Sequence, residues 1–256
     1  TDSGVDSVTV DLSALGLGSQ VTLTDGNGDG TYDATKTVGA SGDPTDGTAT
    51  LDVTATDYAS NDVTDSSQSV VVDATAPDVA RVTVEDETNG DGVVSDDETV
   101  NVTVTVTDTP AGTSVQSVTV NLSSLGLGDS VSLSPLNNGN DRYATTETVD
   151  ATSVSDGTVV TNVTAEDAAT NLASNDTATI TLDTTPPTVT SVTVTDGDEN
   201  DGTVSDDETI TVTASVDGTG SAVRSVTANL SAFGLGSAVT LTEDGGSYET
   251  TATVDD

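Results

Sequence analysis

The stretch "TVNVTVTV", Thr99 to Val106, decides the fold. Val100, Val102, Val104 and Val106 share one side of it, and Thr or Asn fills every position between. A period of two with β-branched residues throughout marks a strand with one apolar face. The same alternation recurs on both sides of this stretch, and no segment shows convincing helical periodicity.

Residues 79–183 then read as seven strands: A near 80–85, B 99–107, C 117–122, D 130–134, E 142–149, F 158–165 and G 176–183. Seven short strands separated by regular turns predict an all-β, immunoglobulin-like sandwich. The unit repeats. "SVTVDLSALGLGSQVTLT" from Ser7 returns as "SVTVNLSSLGLGDSVSLS" from Ser117 and "SVTANLSAFGLGSAVTLT" from Ser225. The period is about 110 residues, the size of one small domain. The expectation is an extended tandem array. A partial repeat spans 1–75 (strands C to G), a complete one 76–185, and a partial one 186–256 (strands A to E).

The linkers "DATAPD" (73–78) and "DTTPPT" (183–188) carry Pro77, Pro186 and Pro187, which lack a backbone donor and end strand G. Short and proline-stiffened, they suit a semi-rigid string of units. The start at Thr1 without Met and the two partial repeats read as a slice of a longer array. Strands donated by neighbouring chains are the other way to complete them.

Charge sets the next limits. The chain has 44 Asp+Glu against four basic residues, a formal net charge of −40. Such a chain repels phosphate backbones and anionic membrane surfaces, so nucleic acid is excluded as a partner. The alternating Val, Leu and Thr speak against disorder and for a folded, salt-adapted protein. With no Cys and no His, disulfides, Cys/His zinc sites and His-based triads are excluded. No apolar run approaches the ~20 residues of a membrane span. The core is expected to be light: Val, Leu and Ala, with Tyr32, Tyr143 and Tyr248 at equivalent positions. The "LSSLGLG" motif (122–128) reads as leucines closing one end of the sandwich, with glycines for the turn.

The segment "VTAEDAATNLASNDTATITLDTTPPTVTSVTV" (163–194) resembles the tandem Ig-like repeats of large bacterial and archaeal surface adhesins. The likeness lies in an Asp followed a few residues later by Asn in the F–G turn, then a strand ending in Asp-Thr-Thr-x-Pro. With the acid bias, it points to surface proteins of halophilic archaea. The resemblance implies an extracellular, extended module, often stiffened by calcium.

The acidic loop "ETNGDGVVSDDET" (87–99) is the first candidate site. Glu87, Asn89, Asp91, Gly92 and Glu98 fall at positions 1, 3, 5, 6 and 12 of a calcium-loop pattern, with Asp96 and Asp97 beside them. Position 1 is Glu rather than Asp, and strands rather than helices flank the loop. The second copy keeps Glu199, Asp201 and Glu208 in place, with Asp206 and Asp207 beside them, but Gly197 takes position 1, where Asp196 or Asp198 would have to substitute. "DGNGDGTYD" (25–33) has similar spacing but reads as a hairpin turn. Sandwich topology adds a second argument. The A–B loop of the middle unit should lie near Asp183, and the F–G turn Asp167 to Asn171 near the preceding linker at Asp73. Carboxylates from separate stretches would then converge at junctions, where a cation would cancel their repulsion. A solvated acid coat is the alternative.

Five sequons stand at Asn101, Asn121, Asn162, Asn175 and Asn229. Strand phase turns Asn101, Asn121, Asn162 and Asn229 outward, as a glycan requires. Carboxylate pairs are the only acid–base equipment, yet aromatics are 2% of the chain and the acids sit in repeated turns, so no enzyme is expected. The reading is a structural protein of the cell exterior: a stalk, filament or surface layer that self-associates, with calcium at its joints. The alternatives are an adhesin whose loops bind a glycan or another cell, and a virus fibre.

Overall fold

The computed structural model describes residues 4–39, 44, 46–108, 114–136, 141–197, 202–218 and 220–255. Strand β1 (Val5–Asp11) opens the chain, followed by β2 (Val21–Leu23), β3 (Gly47–Asp57) and β4 (Asp62–Val72). They form one antiparallel sheet in the order β2-β1-β3-β4.

The central sandwich holds β5 (Asp78–Asp86), β6 (Val93–Val94), β7 (Thr99–Thr107), β8 (Val115–Asn121), β9 (Val131–Ser132), β10 (Ser134–Pro135), β11 (Arg142–Thr148), β12 (Gly157–Asp167) and β13 (Leu172–Leu182). One sheet runs β10-β11-β7-β5 and the other β6-β13-β12-β8-β9. The expected strands A, B, C, E, F and G are β5, β7, β8, β11, β12 and β13. Strand D is split: β9 pairs with β8 and β10 with β11, so this segment crosses between the sheets. The two-residue β6 was not legible in the sequence. It pairs in parallel with the end of β13, Val93 opposite Thr181 and Val94 opposite Leu182.

The core lies between these two sheets. Val100, Val102, Val104 and Val106 of β7 are all buried, as their alternation requires. They meet Val118, Val120, Val163, Ala165, Ile180 and Leu182 of the facing sheet in one cluster. Leu122 and Leu125 close one end, and the turn after them depends on Gly126 in the left-handed region (φ +76°). The "LSSLGLG" motif is therefore core, as expected.

The last sheet contains β14 (Thr188–Asp196), β15 (Thr209–Asp217), β16 (Val226–Ala228), β17 (Val239–Asp244) and β18 (Ser247–Thr253), in the order β14-β15-β18-β17-β16. Ile210, Val212, Ala214, Leu230, Leu241 and Val254 form its small core. In the first and last sheets, strand positions that are covered in the central sandwich stand open. Val70 is 42% exposed where Ile180, the same position of the repeat, is 4%. Val189 is 58% exposed where Val79 is 7%. In the last unit β16 and β17 pack on Ile210 and Val212 of β15, but among the described residues no strand covers Val189, Val192 and Val194 of β14. One expected strand is also missing: strand E of the first repeat does not form, and the segment that carries Tyr32, the counterpart of Tyr143, makes only an isolated bridge between Thr24 and Asp33. In the central sandwich strand E pairs along β7, and the first sheet has no counterpart of β7 to pair with.

Candidate metal centre

The F–G turn between β12 and β13 is built on one carboxylate. Asp167 Oδ1 accepts the backbone N–H groups of Ala169 (2.8 Å) and Asn171 (2.9 Å), and Oδ2 accepts Asn171 Nδ2 (2.9 Å). Thr170 takes φ +70° to close the turn. The first sheet repeats the device: Asp57 accepts from Ala59, Asn61 and Asn61 Nδ2, and Ser60 has φ +67°. Asn171 Nδ2 also donates to the Asp73 carbonyl (3.2 Å), which fastens the turn to the preceding linker.

This fastening brings three stretches together. Carboxylate oxygens of Asp73, Asp108 and Asp167 lie within 4.8 Å of one another. Asp73 follows β4, Asp108 follows β7 and Asp167 ends β12. Asp167 is fully buried, and Asp73 Oδ2 is buried without a hydrogen-bond partner. Like charges at this spacing repel by about 3 kcal/mol per pair at an effective dielectric constant near 20. A cluster of carboxylate oxygens without thiolate or imidazole is the donor set of a hard cation such as calcium.

A family model for the bacterial Ig-like domain (group 3) matches residues 41–171, just over half of the 256-residue chain. The chain belongs to the bacterial Ig-like domain (group 3) family. No curated protein matches it. The matched residues of this Ig-like chain contain all three converging carboxylates.

The sequence placed Asp73 and Asp167 at this junction but not Asp108. Repetition hid it, because the last repeat has Gly218 at the same position. The A–B loop lies near Asp183 as topology required: Asp183 N–H donates to the Val94 carbonyl (2.9 Å). Asn89, Asp91, Glu98 and Asp183 line one cleft of about 390 Å³ there.

Within the loop the bonding centre is Asp86, not Glu87. Asp86 accepts backbone N–H groups of Thr88, Asn89, Gly90 and Asp91. Burial works against its charge, but these donors outweigh it and hold the carboxyl below the ordinary carboxylate range. Comparing the copies could have found it: Asp86 returns as Asp196, whereas Glu87 becomes Gly197. Glu98 accepts from Asn89 Nδ2 and the Ser95 N–H, and Asp91 from Val93 N–H. Asp96 accepts from the Ala151 N–H, pinning the loop to the E–F connection. Asp97 stands at φ +65°, and the exposed Glu87 donates its N–H to Thr99. In the second copy Glu208 repeats the bond to Ser205, and Asp207 repeats the positive φ. Asp206 lies in the same turn, and Asp198, Glu199 and Asp201 lie outside the described residues. At residues 25–33, Asp25 accepts from Gly28, Asp29 and Gly30, an exposed turn closed in the same way.

The linkers are held by two carboxylates that the sequence reading passed over. Asp156 accepts Thr184 N–H, Thr184 Oγ1 and Thr185 Oγ1 (2.6–2.9 Å). Asp46 accepts Ala74 N–H and the Thr75 hydroxyl. Both precede a glycine at the start of strand F, and the hydroxyl donors lower both carboxyls below their ordinary value.

The sequon asparagines are not alike. Asn121, Asn162 and Asn229 are exposed. Asn101 is half-buried with its Oδ1 enclosed, and Asn175 donates its Nδ2 to the Val79 carbonyl (2.9 Å). No helix among the described residues is long and apolar enough to cross a membrane.

Proposed function

We propose that this chain is a structural module of the cell exterior: an Ig-like repeat array, with units at 1–75, 76–185 and 186–256, from a stalk, filament or surface layer. It performs no catalysis. The joint between the first two units is locked by calcium held by Asp73, Asp108 and Asp167. The observation that carries this reading is the convergence of these three carboxylates from three separate chain stretches. Isolated acids of a solvated coat need no such meeting, and carboxylates that meet without a cation destabilise the joint they share. A cation converts that repulsion into a bond between the linker and two loops of the next unit, which fixes the angle between units. The net charge of −40 suits a protein working in concentrated salt, as at the surface of a halophilic archaeon. Copies of such a module pack side by side or end to end, and the exposed Asn121, Asn162 and Asn229 are the sequons open to a glycan.

The test is thermal melting and small-angle scattering with calcium and with EGTA, at constant molar salt. Chelation is expected to lower the melting midpoint and to broaden the scattering profile from a rod toward a bent ensemble. Asp108→Asn is expected to remove both responses while leaving the strands intact. Identical melting and scattering with and without EGTA would sink the calcium joint.

A further inference from the structure

The second junction is built from different residues than the first. Where the central sandwich has Asp108 after strand B and Gln116 in strand C, the last repeat has Gly218 and Arg224. This exchange makes the B–C region more positive by two charges. A neighbouring change runs the other way, Thr107 to Asp217, but Asp217 is exposed and is not among the residues lining the junction cleft.

Arg224, one of only four basic residues in the chain, lines that cleft opposite Asp91, Glu98 and Asp183. Of these carboxylates, Glu98 is engaged on both oxygens by Asn89 and Ser95, and Asp91 accepts the Val93 N–H. Asp183 differs. It is only 8% exposed, its Oδ1 accepts the Thr185 N–H (3.0 Å), and its Oδ2 is buried without a hydrogen-bond partner. The B–C turn of the last repeat closes directly onto this carboxylate. A Cβ on Gly220 would stand 2.9 Å from Asp183 Oδ2, so a side chain there would fill the space beside the oxygen. A buried carboxylate oxygen with an open side is costly, and a guanidinium is the group best shaped to complete it.

We propose that the second junction is locked by the protein's own cation: the Arg224 guanidinium pairs with Asp183 Oδ2 across the cleft. It does there what calcium does at the first junction, so this inference rests on the calcium reading only for the contrast between the two joints. The chain then has one joint that responds to divalent cations and one that does not. Asp183 is buried and Arg224 exposed, so the pair is partly buried and is screened by salt less than a pair of two exposed groups.

The chain has no cysteine, so pairs of introduced cysteines carry spin labels without background. Ser66 and Thr146, both exposed, report the first joint, and Thr146 with the exposed Thr227 reports the second. In the full chain with calcium, both distance distributions are expected to be narrow. EGTA should abolish the narrow peak at the first joint alone. Arg224→Gln, the residue the central repeat itself uses, should abolish it at the second joint with calcium present, and Arg224→Lys should restore part of it. Loss of the narrow peak at both joints on chelation would overturn the proposal, as would an Arg224→Gln second joint that stays narrow. If EGTA changes neither joint while Arg224→Gln loosens the second, the calcium reading fails and the arginine lock stands.

Discussion

Gly126 shows how one residue without a side chain holds the end of the central core. Its φ of +76° lies in the left-handed region, and a Cβ built on it would come within 1.6 Å of the Asp150 carbonyl oxygen. The Asp150 N–H donates in turn to the Leu125 carbonyl, so the turn and the E–F connection are one packed piece. Gly126→Ala adds left-handed strain to a backbone clash. The expected loss is at least about 2 kcal/mol of stability, measured by urea unfolding. Gly128, with no positive φ and its nearest neighbour an ordinary 3.5 Å contact with Val131, should accept alanine with a much smaller loss. The buried Leu122 beside this turn should cost about 2–5 kcal/mol as Leu122→Ala, the range for a cavity in a core of this kind.

Two elements, the linkers 73–78 and 183–188, are held by Asp46 and Asp156 through donated N–H and hydroxyl bonds. Those bonds lower both carboxyls from the ordinary value of 3.8. A depressed folded-state value means that the bonds are fully present above the ordinary value and are lost as pH falls through the depressed one. Protection of the Ala74 and Thr184 amides from hydrogen exchange should therefore disappear on acidification below the ordinary carboxylate range. Asp156→Ala should remove it at Thr184 at every pH while sparing Ala74. The sequence made the strands around these linkers legible because Val100 to Val106 repeats a period that only one burial pattern explains. Asp73 and Asp167 were legible because topology alone brings their turns to one pole. Asp108, Asp86, Asp46 and Asp156 were not. In so acidic a chain a single Asp carries almost no signal: what marks Asp86, Asp46 and Asp156 is the donor each one meets in space, and what marks Asp108 is the two carboxylates it meets. Strand E of the first repeat failed for a related reason: the segment around Tyr32 matches its counterpart around Tyr143 but lacks the neighbour that makes a strand of it.

For the whole molecule, charge and burial pull against each other. A net charge of −40 repels itself at any distance the solvent does not screen, and the first and last sheets have little core to resist with. In molar salt the Debye length is only about 3 Å, and in dilute buffer it grows severalfold. Circular dichroism in millimolar salt should show strand signal lost relative to molar salt. An unchanged spectrum would mean that core packing alone outweighs the repulsion. The two bridges of β6 acquire a further meaning when the chain is considered under tension. A pull between the linkers 73–78 and 183–188 draws β13 and the segment carrying β6 in opposite directions along their common axis. Parallel neighbours pulled this way share the strain across all their bonds at once, whereas a hairpin opens one bond at a time. The Val93 and Val94 pairs with Thr181 and Leu182, together with the Asp183 bond to Val94, thus form a small shear latch at the exit of the sandwich. A string of such units would stretch stiffly until the latch slips, and only then begin to unravel.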